Sequence, residues 1–186
     1  MKHNILPTLR EDLNILREIF EDSSVKWSSP IAHFVPRVHD AVATGDSSLR
    51  AAGGWSNDLG FWWHLKWPEE VVQRTLLYHK NNKNGKIISI YLLEYATVII
   101  NYAASLASYH ARNSKINLDT IKSPVLLNWA DNKASIKWTN VMCTSNQAGR
   151  SLGRLFCGLL LNSPLGINCD YITTIANFIA DDISRL

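Results

Sequence analysis

The sequence contains little cysteine and no long uninterrupted apolar run. Its three cysteines, Cys143, Cys157 and Cys169, are far apart and form no C-x-x-C pair, which argues against a disulfide framework or a zinc site. A reducing, intracellular setting is therefore expected. The most apolar segment, residues 92–107, is interrupted by a glutamate and an asparagine, and the N-terminus lacks the apolar core of a signal peptide. No membrane span is expected.

The length of 186 residues suits one domain of ordinary size plus an appendage. The net charge of +3 permits nucleic acid as a partner, but proteins with many other functions share such a value. The charge alone therefore selects no function.

The N-terminal region reads as an appendage to the domain. A capping box beginning at Thr8 precedes a run of helical spacing, which predicts a helix over residues 9–21. The apolar positions of that run are Leu9, Leu13, Leu16 and Phe20. Residues 22–40 are rich in serine and carry two prolines, which is typical of a connector. The predicted organisation is a helix and connector over residues 1–40 and one domain over residues 41–186.

Three strand-length segments follow in quick succession, over residues 41–48, 51–57 and 60–67. Their short connections predict an antiparallel meander. The stretch Gly45–Trp55 spans the first turn and places Asp46 near the end of the first strand. An aspartate followed by serine and glycine is also ordinary turn chemistry. A turn residue and a site residue are both open interpretations of Asp46.

The remaining pattern alternates helices and strands. The predicted order is a short helix beginning at Pro68, a brief strand and a long helix over residues 87–112, a strand over 125–130, helices ending at Met142 and covering 147–161, a strand over 167–174, and a final helix over 177–185. The long helix is apolar around most of its circumference, which indicates burial against a sheet. The basic run over residues 80–86 is either a solvated loop or a nucleic-acid contact.

Acidic residues mark one edge of this predicted α/β sheet. Asp46 and Asp131 follow or end neighbouring strands, and sites in open α/β sheets form outside the carboxyl ends of strands. Glu94 would approach from the long helix. Repulsion makes such a meeting costly unless divalent cations lie between the acids, and carboxylates favour Mg²⁺ or Mn²⁺ over zinc.

Each acid also has an ordinary structural interpretation. Glu94 could be an exposed acid at the positive end of a helix, and Asp131 could be a simple helix N-cap. Asp181 and Asp182 could be solvated acids on a helix face. The sequence leaves these alternatives open.

Short motifs around the acids resemble the ribonuclease H domain of retroelement reverse transcriptases, closest to the DIRS-like and gypsy-like type. The resemblance covers about residues 40 to 186. The motifs are Asp46-Ser47-Ser48, Gly53-Gly54-Trp55, Leu93-Glu94-Tyr95, Asp131-Asn132 with Ala134, Asn177, Ala180-Asp181 and Ile183-Ser184-Arg185. The resemblance implies a mixed five-stranded sheet, three antiparallel strands and then parallel strands, flanked by helices. Residues 1–40 resemble the tail that joins such a domain to a polymerase. No polymerase Asp-Asp motif occurs upstream of the domain, so the chain is expected to be the nuclease part of a longer product.

The resemblance also implies an activity, which is hydrolysis of the RNA strand of RNA/DNA hybrids during reverse transcription. Two Mg²⁺ ions, with Mn²⁺ as a substitute, would lie about 3.5 to 4 Å apart. Asp46 would bridge both ions, Glu94 and Asp131 would complete one each, and Asp181 would hold the second more loosely. Strand choice would depend on 2′-hydroxyl contacts and minor-groove shape. The implied partners are the hybrid and the polymerase domain of the same polyprotein, in the cytoplasm or nucleus and without a membrane.

The chain departs from the family pattern in two places. The family often has His-Ile-Pro-Gly before the last helix, where this chain has Tyr171–Thr174, and no histidine follows His110. The fourth acid is ambiguous between Asp181 and Asp182. The Ala-Asp register favours Asp181, because neighbours on a helix point about 100° apart and only one can face the metals.

Two further sets of residues bear on nucleic-acid binding. Basic residues on the helices after Asp131 are candidates for phosphate contacts, or form a solvated helix face: Lys133, Lys137, Arg150 and Arg154. Four tryptophans are expected in the core rather than as stacking platforms: Trp62, Trp63, Trp129 and Trp138.

Two rival functions remain at the sequence level. The first is a ribonuclease H-fold module that binds nucleic acid or acts as a scaffold with little catalysis, and the intact acids argue against it because their repulsion would serve no purpose. The second is an integrase-like or transposase-like nuclease of the same fold. Cleavage of hybrid rather than duplex DNA would separate the ribonuclease from this second rival.

Overall fold

The structure is a computed structural model that describes most of the chain. The described ranges are 38–79, 88–113, 124–141, 144, 146–161 and 163–186, together with Arg10, Leu13, Asn14, Arg17 and Glu21. The chain divides into two units, Met1–Pro30 and Ile31–Leu186. The five described residues of the first unit are helical, and the rest of the helix predicted over 9–21 lies outside the described residues. So do the basic run at 80–86 and most of the connector.

The second unit alternates strands and helices in the predicted order. The elements are β1 (Ala41–Ser47), β2 (Ala51–Ser56), β3 (Phe61–Lys66), α1 (Glu69–His79), α2 (Ile90–Asn113), β4 (Val125–Ala130), α3 (Lys133–Val141), α4 (Gln147–Leu161), β5 (Gly166–Tyr171) and α5 (Phe178–Ser184). Strand β3 places Phe61, Trp63 and Leu65 on one face, and β4 is an almost entirely apolar run.

The five strands form one mixed sheet in the order β3-β2-β1-β4-β5. The pairs β1–β2 and β2–β3 are antiparallel, whereas β1–β4 and β4–β5 are parallel. The predicted α/β fold class, with three antiparallel strands followed by parallel strands and flanking helices, is confirmed. Because β1 and β4 are parallel neighbours, their carboxyl ends lie side by side.

Element boundaries differ from the prediction by more than one residue at two places. Strand β5 ends at Tyr171 rather than at residue 174, because Tyr171 pairs with Ala130, the last residue of β4, and no partner strand extends further. The brief strand predicted before the long helix is wrong at residues 88 and 89, which precede α2 without regular structure. Its first residue, Ile87, lies outside the described residues.

Helix α2 forms the centre of the core. Tyr95 and Tyr102 project from it and contact the ring of Phe156 on α4 edge-on, at centroid distances of 6.4 and 5.3 Å. The Tyr102 hydroxyl donates a hydrogen bond to the carbonyl of Leu165 at 2.7 Å. Phe156 is fully buried, so truncation of a ring in this position costs about 3 to 5 kcal/mol. These contacts fix α2 between the sheet and α4.

A polar network inside α2 connects the helix to two strands. Asn101 is fully buried, donates to Asn128 on β4 at 2.7 Å and accepts from the Trp63 indole on β3 at 2.9 Å. By length and composition, residues 90–112 could cross a membrane, and a buried core helix passes the same test. Just over half of its most apolar stretch is buried inside the protein.

Glycines on the central strands let helices approach both faces of the sheet. A Cβ on Gly45 would press against Thr97 of α2, and a Cβ on Gly53 would overlap Ile183 of α5. Gly53 pairs with Asp46, the residue after Gly45, and successive residues of a strand face opposite sides. Helices α2 and α5 therefore lie on opposite faces of β1 and β2.

The tryptophans only partly follow the prediction. Trp63, Trp129 and Trp138 are half-buried, and Trp138 packs edge-on against Tyr95. Trp62 is 68% exposed, so its predicted core position is wrong. It lies on the edge strand β3, on the opposite face to Phe61 and Trp63, and the helix α5 on that face covers Gly53 rather than the end of the strand.

Candidate metal centre

Three carboxylates from three elements meet at the carboxyl end of the sheet. Asp46 lies one residue before the end of β1, Asp131 follows β4 directly, and Glu94 projects from α2. One oxygen of each lies within 4.8 Å of the others. The structure thus brings together three of the four acids expected from the sequence.

Glu94 is a buried acid and not an exposed first-turn acid. Helix α2 begins at Ile90, which places Glu94 beyond the first turn, and the residue is only 6% exposed. Burial is the largest cause that raises its pKa well above the ordinary value, and the charges of Asp46 and Asp131 raise it further. A hydrogen bond from the Ser47 backbone N–H opposes this rise. A neutral or metal-bound Glu94 is therefore favoured over a free carboxylate.

Asp46 has the same character. It is also 6% exposed, and burial together with the charge of Asp131 raises its pKa from 3.8 to about 6. A hydrogen bond from the Ser184 hydroxyl lowers the pKa and offsets part of that rise. Two adjacent acids that both resist ionisation are typical of functional sites.

Asp131 does not cap helix α3, which excludes its ordinary structural interpretation. The cap is the next residue, Asn132, whose Oδ1 accepts from the backbone N–H groups of Ala134 and Ser135 at 2.9 and 3.2 Å. Asp131 instead accepts a hydrogen bond from the Thr174 hydroxyl at 2.9 Å. Its carboxylate is therefore available to the acidic cluster.

The segment after β5 supplies hydrogen-bond donors to two of the acids. Thr174 bonds Asp131, and Asn177 and Ser184 bond Asp46. The sequence did not predict these contacts. Asn177 and Ser184 lie in the segments that resemble ribonuclease H motifs, and this resemblance marked their positions. Nothing in the local pattern points to Thr174.

Asp181 lies close to the cluster but outside the group of three. Its Oδ1 accepts from Nε and Nη2 of Arg185 at 2.8 and 2.7 Å. Its charge nevertheless raises the pKa of both Asp46 and Glu94. Asp182 is exposed. The structure therefore places Asp181, rather than its neighbour, in electrostatic contact with the acids.

Comparison with known proteins adds no identification. No family model, curated protein or solved structure matches this chain. The interpretation of the site depends on its own geometry.

That geometry fits a divalent cation. Two oxygens bound to one Mg²⁺ lie at most about 4.2 Å apart, twice a bond of 2.1 Å, so the three carboxylates are within a small side-chain adjustment of a common ion. Among the described residues, ion pairs join Arg17 to Glu21, Arg74 to Glu70 and Arg185 to Asp181. None of these three pairs includes Asp46, Glu94 or Asp131, although the charge of Arg185 lowers the pKa of Asp46. An all-oxygen donor set suits Mg²⁺ or Mn²⁺.

The predicted basic residues lie on the two helices after Asp131. Lys133 and Lys137 are exposed on α3, and on α4 Arg150 is exposed and Arg154 half-buried. The Lys133 ammonium lies 5.6 Å from the centre of the Tyr171 ring, at the end of β5. Since Tyr171 pairs with Ala130, Lys133 stands at the same sheet edge as the acids.

Proposed function

We propose that this protein is a metal-dependent nuclease of the ribonuclease H type, which hydrolyses the RNA strand of RNA/DNA hybrids. The observation that carries the proposal is the meeting of Asp46, Glu94 and Asp131 within 4.8 Å where parallel β1 and β4 end. Two of the three acids are buried. Burial of mutually repelling acids is costly without a cation. The proposed cofactor is a pair of Mg²⁺ ions, with Mn²⁺ as substitute.

The acids would hold the ions, and the rest of the site would hold the acids. Asp46 is the proposed shared ligand, because each of its oxygens accepts one hydrogen bond and keeps a further lone pair. Glu94 and Asp131 would complete the coordination of one ion each, with Asp181 as a fourth, looser ligand. Such ions, when bound, supply an activated water and stabilise the departing 3′ oxygen in phosphodiester hydrolysis.

Hybrid recognition is proposed to start from the exposed face of α3. Lys133 lies over the Tyr171 ring at the same sheet edge as the acids and would offer a positive charge for a backbone phosphate. Lys137, one turn later, and Arg150 with Arg154 on α4 would extend this surface. The polymerase region of the same polyprotein and an intracellular setting are part of the same proposal.

The test is cleavage of a labelled RNA/DNA hybrid in Mg²⁺ and in Mn²⁺, with duplex DNA as a second substrate. Asp46→Asn and Asp131→Asn should each abolish cleavage. Asp170→Asn is the matched control, because Asp170 is an exposed acid whose carboxylate accepts a hydrogen bond from the next backbone N–H on the chain. Cleavage of duplex DNA in preference to hybrid would favour an integrase-like nuclease, and binding without cleavage would favour a scaffold.

A further inference from the structure

Both oxygens of Asp46 are held by one short helix and the residue before it. The Ser184 hydroxyl donates to Oδ2 at 3.1 Å, and the Asn177 side-chain amide donates to Oδ1 at 3.3 Å. Asn177 precedes α5 and Ser184 is its last residue. Both are fully buried, with at most 1% of either side chain exposed. Water therefore cannot replace either donor.

Ser184 is itself held on the other side. Its carbonyl accepts from the Ser48 hydroxyl at 2.8 Å, and Ser48 lies in the turn that connects β1 to β2, two residues after Asp46. The Ser184 hydroxyl also lies 2.9 Å from the carbonyl of Asp181. A carboxylate is the stronger acceptor of the two. The end of α5 is therefore fixed against the strand that carries Asp46.

Asn177 carries a cost that its own packing does not explain. Its Oδ1 is buried and has no hydrogen-bond partner among the described residues. An unsatisfied buried carbonyl costs about 1 to 3 kcal/mol, and an apolar side chain of similar size would avoid this cost. What the amide offers in return is donation to Asp46 and a longer contact of 3.5 Å with the carbonyl of Gly45.

We propose that Ser184 and Asn177 are positioning residues for Asp46. Together they fix the plane of its carboxylate and leave one lone pair of each oxygen for cations. This inference rests on the proposed metal-dependent function. The two residues act through Asp46 and contact neither substrate nor ion in the proposed site.

Mn²⁺ binding tests the inference without any substrate. Binding is followed by the loss of the free-ion paramagnetic resonance signal when wild-type or variant protein is added. Ser184→Ala and Asn177→Leu should each weaken Mn²⁺ binding by about tenfold, as loss of a hydrogen bond to a metal ligand does elsewhere. The thermal unfolding temperature of Asn177→Leu should equal or exceed that of the wild type, because the unpaired oxygen is gone.

Ser105→Ala is the matched control. Ser105 is a fully buried helical serine whose hydroxyl donates to the Asn101 carbonyl in α2. It shares the packing role of Ser184 and lacks a contact with an acid, so Mn²⁺ affinity should stay at the wild-type value. In an Asp46→Asn background, Ser184→Ala should change the affinity by less than about twofold, because coupled residues are not additive.

The outcomes separate the two proposals. Wild-type affinity in both Ser184→Ala and Asn177→Leu, with hybrid cleavage intact, would overturn the positioning role and leave the nuclease standing. Weakened Mn²⁺ binding in both variants of a protein that cleaves no hybrid supports the positioning role and overturns the proposed ribonuclease H activity. A wild-type protein that binds no Mn²⁺ overturns both.

Discussion

The hydroxyl of Thr174 donates a hydrogen bond to Oδ2 of Asp131 at 2.9 Å. Asp131 is the least buried of the three acids, and it follows β4 where the sheet no longer restrains it. Thr174 restrains it instead, from the turn that follows β5. Two separate parts of the chain therefore determine where this carboxylate points.

Removal of that hydroxyl should weaken metal binding without unfolding the protein. Thr174→Val keeps the shape of the side chain and should raise the Mn²⁺ dissociation constant by about tenfold. The neighbouring Thr173→Val is the control, since the Thr173 hydroxyl only accepts from a backbone N–H in the same turn. Equal affinities in both variants would show that the Thr174 contact does not orient Asp131.

The raised pKa values predict that the metal-free protein loses stability as pH rises. The pKa of Asp46 is about 6 in the fold against 3.8 when unfolded, so the neutral acid stabilises the fold below pH 4 and this contribution disappears as pH rises through 6. By linkage the loss is up to about 3 kcal/mol. Glu94, with a pKa raised in the same direction, extends the decline to higher pH.

Urea unfolding in a chelator between pH 4 and pH 8 measures this decline. Asp46→Asn should match the wild type near pH 4 and exceed its unfolding free energy at pH 7. Added Mg²⁺ should stabilise the wild type more at pH 7 than at pH 5, because cations replace protons. A wild-type minus Asp46→Asn difference that does not change with pH would contradict the raised pKa.

Gly53→Ala should displace α5 from the sheet. A new Cβ would overlap both the side chain and the backbone of Ile183, which costs about 1 to 3 kcal/mol. Mn²⁺ affinity should fall together with stability, because Ser184 moves with the helix. Gly158→Ala is the contrasting control, since a Cβ there meets nothing within 4 Å and should stabilise α4 by about 0.5 to 1 kcal/mol. Unchanged stability in Gly53→Ala would contradict the close packing of α5.

Asp181 and Asp182 should differ in importance although they are neighbours. Asp181 raises the pKa of Asp46 and Glu94, whereas Asp182 points to solvent. Asp181→Asn should lower hybrid cleavage by at least about tenfold at limiting Mg²⁺, and Asp182→Asn should stay close to the wild type. Cleavage rates over a Mg²⁺ titration decide the matter, and the reverse order would show that the fourth acid was misassigned.

Lys133 should contribute to hybrid binding through charge alone. Lys133→Gln should weaken binding and lower the slope of log affinity against log salt by about 1. Arg112→Gln provides the comparison, because Arg112 is an exposed basic residue in the last turn of α2 that donates to the Asp58 carbonyl after β2, at the other end of the sheet from Asp46. Salt titrations of hybrid binding in the absence of metal measure both slopes. Equal slopes for the two variants would remove Lys133 from the proposed surface.

The fold could be read from the sequence because its signals are local. Three strand-length segments over residues 41–67 and the apolar run at 125–130 predicted strands whose ends agree with the structure within one residue. The end of β5 could not be read in this way, because the length of β4 determines it through pairing at Tyr171. The exposure of Trp62 likewise depends on how far a helix from the end of the chain extends.

The acids could be predicted, but their partners could not. Asp46 and Asp131 follow from strand ends, and Glu94 from its place in an apolar helix. The contact of Ser184 with Asp46 spans 138 residues, and no local pattern reports such a distance. The choice between Asp131 and Asn132 as helix cap was also hidden, because both residue types are good caps.

The seven residues of α5 make the site more fragile than the sheet beneath it. A helix of this length has no stability of its own in water, so it depends on its packing against β1, β2 and β3 and on its bonds to Asp46 and Ser48. Segments of this kind open at lower free energy than the strands they cover. On warming, the amide hydrogens of α5 should exchange with solvent before those of β1 and β4. Heat would then release Asp46 from its donors while the sheet is still intact.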